Sequence, residues 1–329
     1  MSGGLFLAVD GGNSKTDVVL GTRDGTVLGF ARGPGSSPDN IGLTGTMEVL
    51  SSLIAEVRTL AGVTGEVDAV GVYLAGIDLP IELTRLDAAV ASAGWARSHV
   101  ADNDVFALLR AGTADRDAVA VICGAGINCV GRAADGRTAR FPALGAISGD
   151  WGGGMGLADE TLWHAARAAD GRGPASLLAT AVAAHFGLPT MDDVSAAVHL
   201  GTIDRAALLD LVPLLFAAAA AGDAVAATVV ERQVEEILAL HRVAATRLGL
   251  LAAPHAVVLG GGVLRSRQPA LHDPLLTRLA VAAPRATVTV LDADPVVGAA
   301  LLTLDHLGWS AAEPTLRATL TGSIVPAAA

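Results

Sequence analysis

The sequence predicts an α/β protein with two related lobes, because of its size, the alternation of its elements and a repeated plan. The chain has 329 residues, which is long for one domain, and 52% of them are hydrophobic, enough to fill two cores. Strand patterns alternate with helix patterns along most of the chain, as in sheets covered by helices. One arrangement of strands and glycine turns occurs near the start and again after residue 116, which predicts two lobes of similar construction.

The first lobe opens with three predicted strands that form a meander. The apolar segments LFLAVD, TDVVLG and TVLGFARG are joined by the turn GGNSK and by Asp24-Gly25, a dipeptide that favours a tight hairpin. The segment GTMEVLSSLIAEVRTLAG has apolar residues at three- and four-residue spacing, so it predicts a helix that stops at Gly62. The strand VDAVGVYLAG, the helix IELTRLDAAVASAG and the strand SHVADND then predict a sheet with both parallel and antiparallel members.

The second lobe repeats this opening. The segment DAVAVICGAGINCVGRAADGRTARFPA contains a strand, a glycine turn, a second strand, the turn Asp135-Gly136 and a third strand. The run LLFAAAAAGDAVAATVV is the most membrane-like segment, but Gly222 and Asp223 interrupt it, so it predicts a pair of helices in a soluble core. The segment HAVVLGGGVL predicts a buried strand that ends in three glycines.

Charge and cysteine content exclude several classes of protein. The formal net charge is -11 and Lys15 is the single lysine, whereas nucleic-acid binding requires clustered Lys and Arg. Cys123 and Cys129 are too few for a disulfide framework, and the eight histidines show no paired metal spacing. The N-terminus lacks the pattern of a signal peptide. We therefore expect a cytoplasmic protein that binds neither nucleic acid nor membranes.

The turn after Asp10 has two interpretations. It is either an ordinary glycine hairpin or a cradle for phosphates. The Walker A pattern is absent, and a dinucleotide fingerprint needs a helix after its glycines, where this chain has a strand. The remaining possibility is a strand-turn-strand in which backbone N–H groups and the side chains of Ser14, Lys15 and Thr16 hold phosphate oxygens. Asp10 would then orient hydrated magnesium.

Five motifs, VDGGNSKT, NDVFAL, ICGAGIN, GDWGGG and VVLGGGV, occur in an order that covers nearly the whole chain. They resemble the N-acetylglucosamine kinase branch of the BadF/BadG/BcrA/BcrD-type ATPase family, in the actin, sugar kinase and heat-shock chaperone superfamily. The resemblance implies two ribonuclease H-like lobes of the actin-like ATPase fold with a nucleotide cleft between them. It implies a first lobe of residues 1–115 joined by a C-terminal helix over 297–329, and a second lobe of residues 116–296.

The resemblance also implies which residues bind ATP and Mg²⁺. The motif VDGGNSKT assigns Asp10 to the metal. The motif ICGAGIN, which resembles the second phosphate motif of the family, adds backbone groups for the phosphates, and the glycines of VVLGGGV add backbone groups for the adenosine. In ICGAGIN, Ala125 and Ile127 stand where hydroxyl residues are common in the family, so two side-chain donors are lost. The implied nucleotide contacts are Gly12, Asn13, Ser14, Lys15, Thr16, Gly124, Gly126, Gly261 and Gly262.

Asp104 matches the catalytic aspartate of the family. A sugar hydroxyl must lose its proton as it attacks the γ-phosphorus, and a carboxylate within hydrogen-bond reach can accept that proton. A competing interpretation makes Asp104 the N-cap of the helix VFALLRAG, and Asp102 is a nearby alternative base.

Sugar-binding residues are implied in the same way. Asn40 corresponds to a sugar-binding asparagine, with Asp39 as its rival, and Trp151 either stacks on the sugar ring or wedges the turn. Many relatives have a tryptophan where this chain has Leu144, and a glutamate at the position of Trp151. The implied sugar contacts are Asn40, Gly76, Asp104, Gly126, Asn128 and Asp150.

The expected reaction is transfer of the γ-phosphoryl group of ATP to the 6-hydroxyl of an amino sugar, N-acetylglucosamine, by a homodimer. Glucosamine or another hexose is the alternative substrate, and a BadF-type ATPase or activator without sugar phosphorylation is the alternative class. Dehydratase activators hold an iron-sulfur cluster with separately placed cysteines, an arrangement that Cys123 and Cys129 do not fit. A ROK-type repressor would need an N-terminal helix-turn-helix, and a non-catalytic ATP-binding scaffold would not need Asp104.

Overall fold

A computed structural model of the protein describes residues 4–323. These residues form two compact units, which the chain connects at Ala120/Val121 and again at Val290/Leu291. The first unit therefore contains both ends of the described chain, and the second is one continuous segment. The sequence-based boundaries were 115/116 and 296/297. Residues 324–329 of the predicted closing segment lie outside the described residues.

The first unit is built on a five-stranded mixed sheet. Its strands are β1 (Leu5–Gly11), β2 (Lys15–Thr22), β3 (Val27–Pro34), β4 (Ala69–Leu74) and β5 (Ser98–Asn103). They lie in the order β3-β2-β1-β4-β5, with β1, β2 and β3 antiparallel and β1, β4 and β5 parallel. The predicted meander and the predicted mixed sheet are both confirmed.

Among the described residues, five α-helices accompany this sheet, numbered in chain order with those of the second unit. They are α1 (Pro38–Leu60), α2 (Pro80–Ala93), α3 (Asp104–Gly112), α11 (Pro295–His306) and α12 (Glu313–Ser323). Helix α1 begins seven residues earlier than predicted, because Pro38 suits a first turn and Gly42 takes a φ of 68° at a kink.

The C-terminal segment differs from its prediction as one helix. Helix α11 ends before Gly308, whose φ of 70° is a left-handed conformation that breaks the helix. A 3-10 turn at Ser310–Ala312 then leads into α12. The closing segment therefore consists of two helices.

The two faces of the first sheet have different coverings. On one face Val9 and Val72 pack with Leu50 of α1 and Leu86 of α2 in an apolar core. The other face carries α3 and α11, and a Cβ added to Gly298 of α11 would lie only 2.6 Å from the carbonyl carbon of Ala107 in α3. The absence of a side chain at that glycine lets these two helices pack closely.

The second unit has a sheet of the same plan. Its strands are β6 (Ala118–Cys123), β7 (Ile127–Arg132), β8 (Thr138–Arg140), β9 (His255–Gly260) and β10 (Ala286–Val290). They lie in the order β10-β9-β6-β7-β8. Read from the other edge, the order β8-β7-β6-β9-β10 corresponds strand by strand to β3-β2-β1-β4-β5 of the first sheet. The repeated sequence plan predicts this correspondence.

Seven helices belong to the second unit. They are α4 (Gly153–Asp170), α5 (Leu178–His185), α6 (Met191–His199), α7 (Leu211–Ala220), α8 (Ala224–Leu248), α9 (Gly262–Arg265) and α10 (Pro269–Ala282). The predicted helix pair is confirmed as α7 and α8, separated at Gly222 with a φ of 88°.

Within residues 4–323, no single helix has both the length and the apolar character needed to cross a membrane. One bent pair, Arg205–Ala220 with Ala224–Leu248, satisfies these two criteria jointly, with 112° between its members.

Candidate functional site

A row of polar side chains crosses the first sheet at the position of Asp10. Asp10 pairs with Asp17 of β2, which pairs in turn with Arg32 of β3. On the other side, Asp10 pairs with Tyr73 of β4, and Tyr73 pairs with Asp102 of β5. Because directly paired residues on neighbouring strands project from the same face, these five side chains belong to one row. The row lies on the face that carries α3 and α11.

The glycine turn after Asp10 is held against the segment that follows β3. The N–H of Gly12 donates to the carbonyl of Lys15 at 2.8 Å, and the N–H of Ser36 donates to the carbonyl of Gly12 at 3.1 Å. The hydroxyl of Thr16 is fully buried and lies 2.7 Å from the carbonyl oxygen of Pro34 and 2.8 Å from Ser36 Oγ. Thr16 therefore fixes the shape of the turn.

Two cations stand beside this turn, and Asp17 holds both. Arg32 donates from Nε to Asp17 Oδ1 at 2.6 Å and from Nη2 to Asp17 Oδ2 at 2.9 Å, while Lys15 Nζ donates to Oδ2 at 2.9 Å. Asp294, just before α11, lies 3.9 Å from Lys15 Nζ and 3.7 Å from Arg32 Nη2. Asn13 and Ser14 are exposed at the tip of the turn.

The surroundings of Asp10 favour a bound cation. Burial raises the pKa of Asp10 well above its ordinary value, and the carboxylates of Asp104, Asp17 and Asp294 raise it further, against the opposing effect of Lys15. Carboxylate oxygen is a ligand that Mg²⁺ prefers, and Mg²⁺ commonly takes one or two carboxylates with waters and substrate phosphates. Residues 4–323 contain no group of three or more His, Cys, Asp or Glu side chains placed to hold a metal. The donor set therefore fits Mg²⁺ carried on a nucleotide.

Asp104 is the first residue of α3, directly after β5. The N-cap of this helix is Asn103, whose Oδ1 accepts the N–H of Val105 at 3.0 Å. The interpretation of Asp104 as the cap is therefore wrong, and its carboxylate is not needed for that purpose. Burial raises the pKa of Asp104 to about 6, against the lowering effect of nearby backbone N–H groups. The alternative residue, Asp102, accepts the N–H of Asn103 at 2.7 Å.

Two loops of the first unit bring the predicted sugar residues together. Gly76 has a φ of 74°, and a Cβ on it would lie 2.8 Å from Asp39 Oδ2, so the loop after β4 touches the start of α1. Asn40 Nδ2 donates to Asn13 Oδ1 at 3.0 Å, which connects the predicted sugar loop to the predicted phosphate turn. Burial and then Glu82 raise the pKa of Asp39.

The Asp104 loop is tied to the loop after β4. Asn103 Nδ2 donates to Asp78 Oδ1 at 2.9 Å and to the carbonyl of Ile77 at 3.2 Å. Asn103 is buried, and its side chain both donates to the loop after β4 and accepts the N–H of Val105 in α3. These contacts fix the position of the residue directly before Asp104.

In the second unit, three motifs that are far apart in sequence meet through glycines. A Cβ on Gly153 would lie 2.6 Å from the carbonyl oxygen of Gly126, and a Cβ on Gly261 would lie 2.6 Å from the N of Gly124. The N–H of Gly154 donates to the carbonyl of Gly124 at 2.7 Å. The predicted second phosphate turn, sugar segment and adenosine segment are therefore adjacent to one another.

The polar side chains near these glycines have defined partners. Asp150 Oδ2 accepts the hydroxyl of Ser148 at 2.5 Å, and Asn128 Oδ1 accepts the N–H of Cys129 at 2.6 Å. Gly262 begins α9, directly after Gly261.

Trp151, which follows Asp150, is engaged by protein groups. Its Nε1 donates to Glu160 at 3.2 Å, and the guanidinium of Arg232 lies 4.1 Å from its ring centroid. Stacking on a sugar and wedging the turn were the two alternatives for this residue, and these contacts favour the structural one.

Both cysteines are buried, and burial raises the pKa of Cys123 to about 12. Thiolate chemistry is therefore disfavoured there.

Sequence reasoning missed three residues of this site: Asp17, Arg32 and Asp294. A signal for Asp17 was available, because it is an acid directly before the apolar residues of the strand KTDVVLGT. Arg32 and Asp294 become adjacent to it only through strand pairing and through the return of the chain to the first unit.

The two α/β units have the same strand order, and solved structures match the fold of the chain. The solved structure of a ROK family glucokinase from Streptomyces griseus, in complex with glucose and AMPPNP, matches with a TM-score of 0.57 at 18% identity, over 92% of this chain and 100% of that chain. That of a provisionally assigned N-acetylglucosamine kinase from Chromobacterium violaceum has a TM-score of 0.70 at 23% identity, over 92% and 100%. The predicted fold class is confirmed.

The sequence model of the BadF/BadG/BcrA/BcrD ATPase family matches residues 7–303, so the chain belongs to that family. An N-acetylmuramic acid/N-acetylglucosamine kinase of Clostridium acetobutylicum is 24% identical, over 90% of this chain and 97% of its own length. An N-acetyl-D-glucosamine kinase of Dictyostelium discoideum is 26% identical, over 93% of this chain and 99% of its own. The family resemblance read from the motifs is confirmed.

Proposed function

We propose that the protein is an ATP-dependent kinase that transfers the γ-phosphoryl group to the 6-hydroxyl of N-acetylglucosamine. The observation that carries this function is Asp104, a carboxylate with a raised pKa at the start of α3, whose charge acts on Asp10. The capping requirement of the helix is met by Asn103, which leaves Asp104 for chemistry. The names of the Clostridium and Dictyostelium relatives support the amino sugar as substrate.

In the proposed reaction Asp104 is the general base. The sugar oxygen forms a bond to the γ-phosphorus, the bond from that phosphorus to the β,γ-bridging oxygen breaks, and ADP leaves. The proton of the sugar hydroxyl passes to the carboxylate of Asp104. A pKa of about 6 suits this role, because the group is ionised at neutral pH and is more basic than an ordinary aspartate.

The nucleotide would be bound by both glycine turns. We propose that the side chains of Asn13, Ser14 and Lys15 and the backbone of the turns at Gly12 and at Gly124 and Gly126 bind the phosphates, while Thr16 holds the first turn in shape. Gly261 and Gly262 would contact the adenosine, where the missing side chains allow a base to approach the backbone. Mg²⁺ held through Asp10 would neutralise charge on the β- and γ-phosphate oxygens.

The sugar would be bound by the polar groups that the family motifs indicate. We propose that Asn40 and the backbone at Gly76, together with Gly126, Asn128 and Asp150, contact its hydroxyls. The link between Asn103 and Asp78 would keep Asp104 at the attacking hydroxyl. Location in the cytoplasm and assembly as a homodimer are further parts of this proposal, and light scattering of the purified protein tests the dimer.

The test is ADP release with Mg·ATP against N-acetylglucosamine, glucosamine, glucose, N-acetylmannosamine and no sugar. We expect turnover to require an amino sugar and to fall by about 10²- to 10⁴-fold in Asp104→Asn. Asp102→Asn, two residues away, tests the competing base and should keep most of the activity. Sugar-independent hydrolysis that is equal in wild type and Asp104→Asn would replace the kinase with an ATPase or scaffold.

A further inference from the structure

We propose that Arg32 is a second cation for the triphosphate of ATP, and that Asp17 positions its guanidinium beside Lys15 for this purpose. This inference rests on the proposed function for its ligand, since it adds a phosphate-binding residue to the same site. Arg32 lies outside the five motifs from which the site was predicted, 17 residues beyond Lys15 on a different strand.

The strand register places Arg32 at the nucleotide turn. Arg32 of β3 is paired with Asp17 of β2, and Asp17 is paired with Asp10 of β1, so the three side chains project from one face. Lys15 is two residues before Asp17 and projects from this face as well. The two cations therefore flank the turn that follows Asp10.

The pairing with Asp17 holds one edge of the guanidinium and leaves the other edge outside the pair. Asp17 is fully buried, and it accepts Nε at 2.6 Å and Nη2 at 2.9 Å. The side chain of Arg32 remains 40% exposed. A guanidinium has five N–H donors in a planar fork, and this bidentate pair uses only two of them. Asp294 also lies 3.7 Å from Nη2, so the Nη1 group is the part of the fixed fork that suits phosphate oxygens.

Apart from the Mg²⁺ proposed at Asp10, the charge balance of the protein side chains favours a second cation. Asp10, Asp17, Asp104 and Asp294 supply four carboxylates, whereas Lys15 is the single lysine of the chain and already contacts Asp17. A triphosphate carries several negative charges and would be repelled by an uncompensated acidic cluster. Arg32 contributes a permanent positive charge, and the hydrogen bonds that it donates to Asp17 raise its pKa further.

A purely structural role for Arg32 makes a different prediction. As a mere partner for the buried Asp17, Arg32 would affect stability and would act equally on every nucleotide. As a phosphate ligand, it must distinguish AMPPNP from AMP, which lacks the β- and γ-phosphates. Arg32→Gln keeps a hydrogen-bond donor for Asp17 without the charge, and Arg32→Lys keeps the charge without the fork.

The experiment is calorimetric titration of AMPPNP and of AMP, both with Mg²⁺ and without sugar, into wild type, Arg32→Gln and Arg32→Lys. Arg97→Gln is the matched control, because Arg97 is an exposed arginine of the same unit that pairs with Glu66 and Asp68, outside the proposed site. We expect the Kd of AMPPNP to rise about 10- to 100-fold in Arg32→Gln and less in Arg32→Lys, with AMP unchanged in both. Arg97→Gln should change neither Kd.

Equal effects on AMPPNP and AMP, or no effect on AMPPNP, would overturn the inference and reduce Arg32 to a partner of Asp17. Should Arg32→Gln lose its cooperative thermal transition, Arg32→Lys decides the question by the same comparison. A wild-type protein that binds AMPPNP but phosphorylates no sugar would refute the kinase while the AMPPNP-to-AMP ratio still tests Arg32. A wild type that binds no AMPPNP would refute both.

Discussion

Asp104 experiences two opposing influences at the start of α3. The backbone N–H groups of a helix N-terminus favour a carboxylate, but burial disfavours it more strongly and raises the pKa of the group to about 6. Because Asn103 supplies the cap, the helix does not depend on the charge of Asp104. The residue can therefore change its protonation state without unwinding the helix.

This pKa sets the pH dependence of the proposed reaction. The active form is the carboxylate, so kcat/KM should be constant above pH 7 and should fall tenfold per pH unit below about 6. Initial rates from pH 4.5 to 8.5 at saturating Mg·ATP measure it. If kcat/KM fell only below about pH 4, the base would be an ordinary aspartate. If the same acid-side fall remained in Asp104→Asn, it would belong to another group.

The hydrogen bond between Asn13 and Asn40 connects the phosphate turn with the sugar loop. We expect Asn13→Ala to reduce the coupling between the two ligands, measured as the ratio of AMPPNP Kd values without and with N-acetylglucosamine. The loss of one hydrogen bond should lower this ratio by about two- to tenfold. Ser14→Ala, in the same exposed turn, is the control, and its ratio should equal that of wild type. Equal ratios in all three proteins would contradict the coupling.

At the scale of elements, the sequence predicted strands, turns and most helices, because these depend on local pattern. Asp24-Gly25 and Asp135-Gly136 produced the expected hairpins, with φ values of 87° and 92° at the glycines. The pattern contained no information on register, so the row that joins Arg32 to Asp10 could not be predicted. The break at Gly308 was missed because a single glycine is compatible with a continuing helix.

The contact between the glycine segments of the second unit is equally a matter of tertiary structure. Gly261 has a φ of 86° and abuts the backbone at Gly124, so no side chain fits there. We expect Gly261→Ala to lower the free energy of unfolding by about 2 kcal/mol or more, through strain and overpacking. Gly262→Ala is the matched control, because a Cβ there meets no atom within 4 Å. Urea unfolding measures both, and equal stabilities would refute the contact.

At the scale of the molecule, a buried histidine pair makes stability depend on pH. His241 of α8 and His255 of β9 have their Nε2 atoms 3.1 Å apart, and both residues are buried. Burial, and then the neighbouring His255, lowers the pKa of His241 from 6.5 to about 4. Below pH 6.5 the unfolded chain therefore binds a proton that the folded unit excludes.

The stability contributed by neutral His241 is complete above pH 6.5 and is lost as the pH falls towards 4. We expect the free energy of unfolding to drop by about 2 kcal/mol from this group between pH 7.5 and pH 5. His241→Asn should remove that part of the pH dependence. His185→Asn, at an exposed position of the same unit, should leave the dependence unchanged in urea titrations. An identical pH dependence in wild type and His241→Asn would contradict this account.

The common strand order of the two sheets is the outcome expected of an ancestral gene duplication. The middle strands β1 and β6 each run into a glycine turn, but β1 brings Asp10 to that turn and β6 brings Cys123. Burial keeps the thiol neutral by raising its pKa to about 12, whereas Asp10 belongs to a dense set of charges. The two copies of one plan thus differ in the residue that stands before the glycine turn. The turn after β1 is therefore suited to an anionic ligand that carries a cation, whereas the turn after β6 offers backbone groups without a carboxylate at the corresponding position.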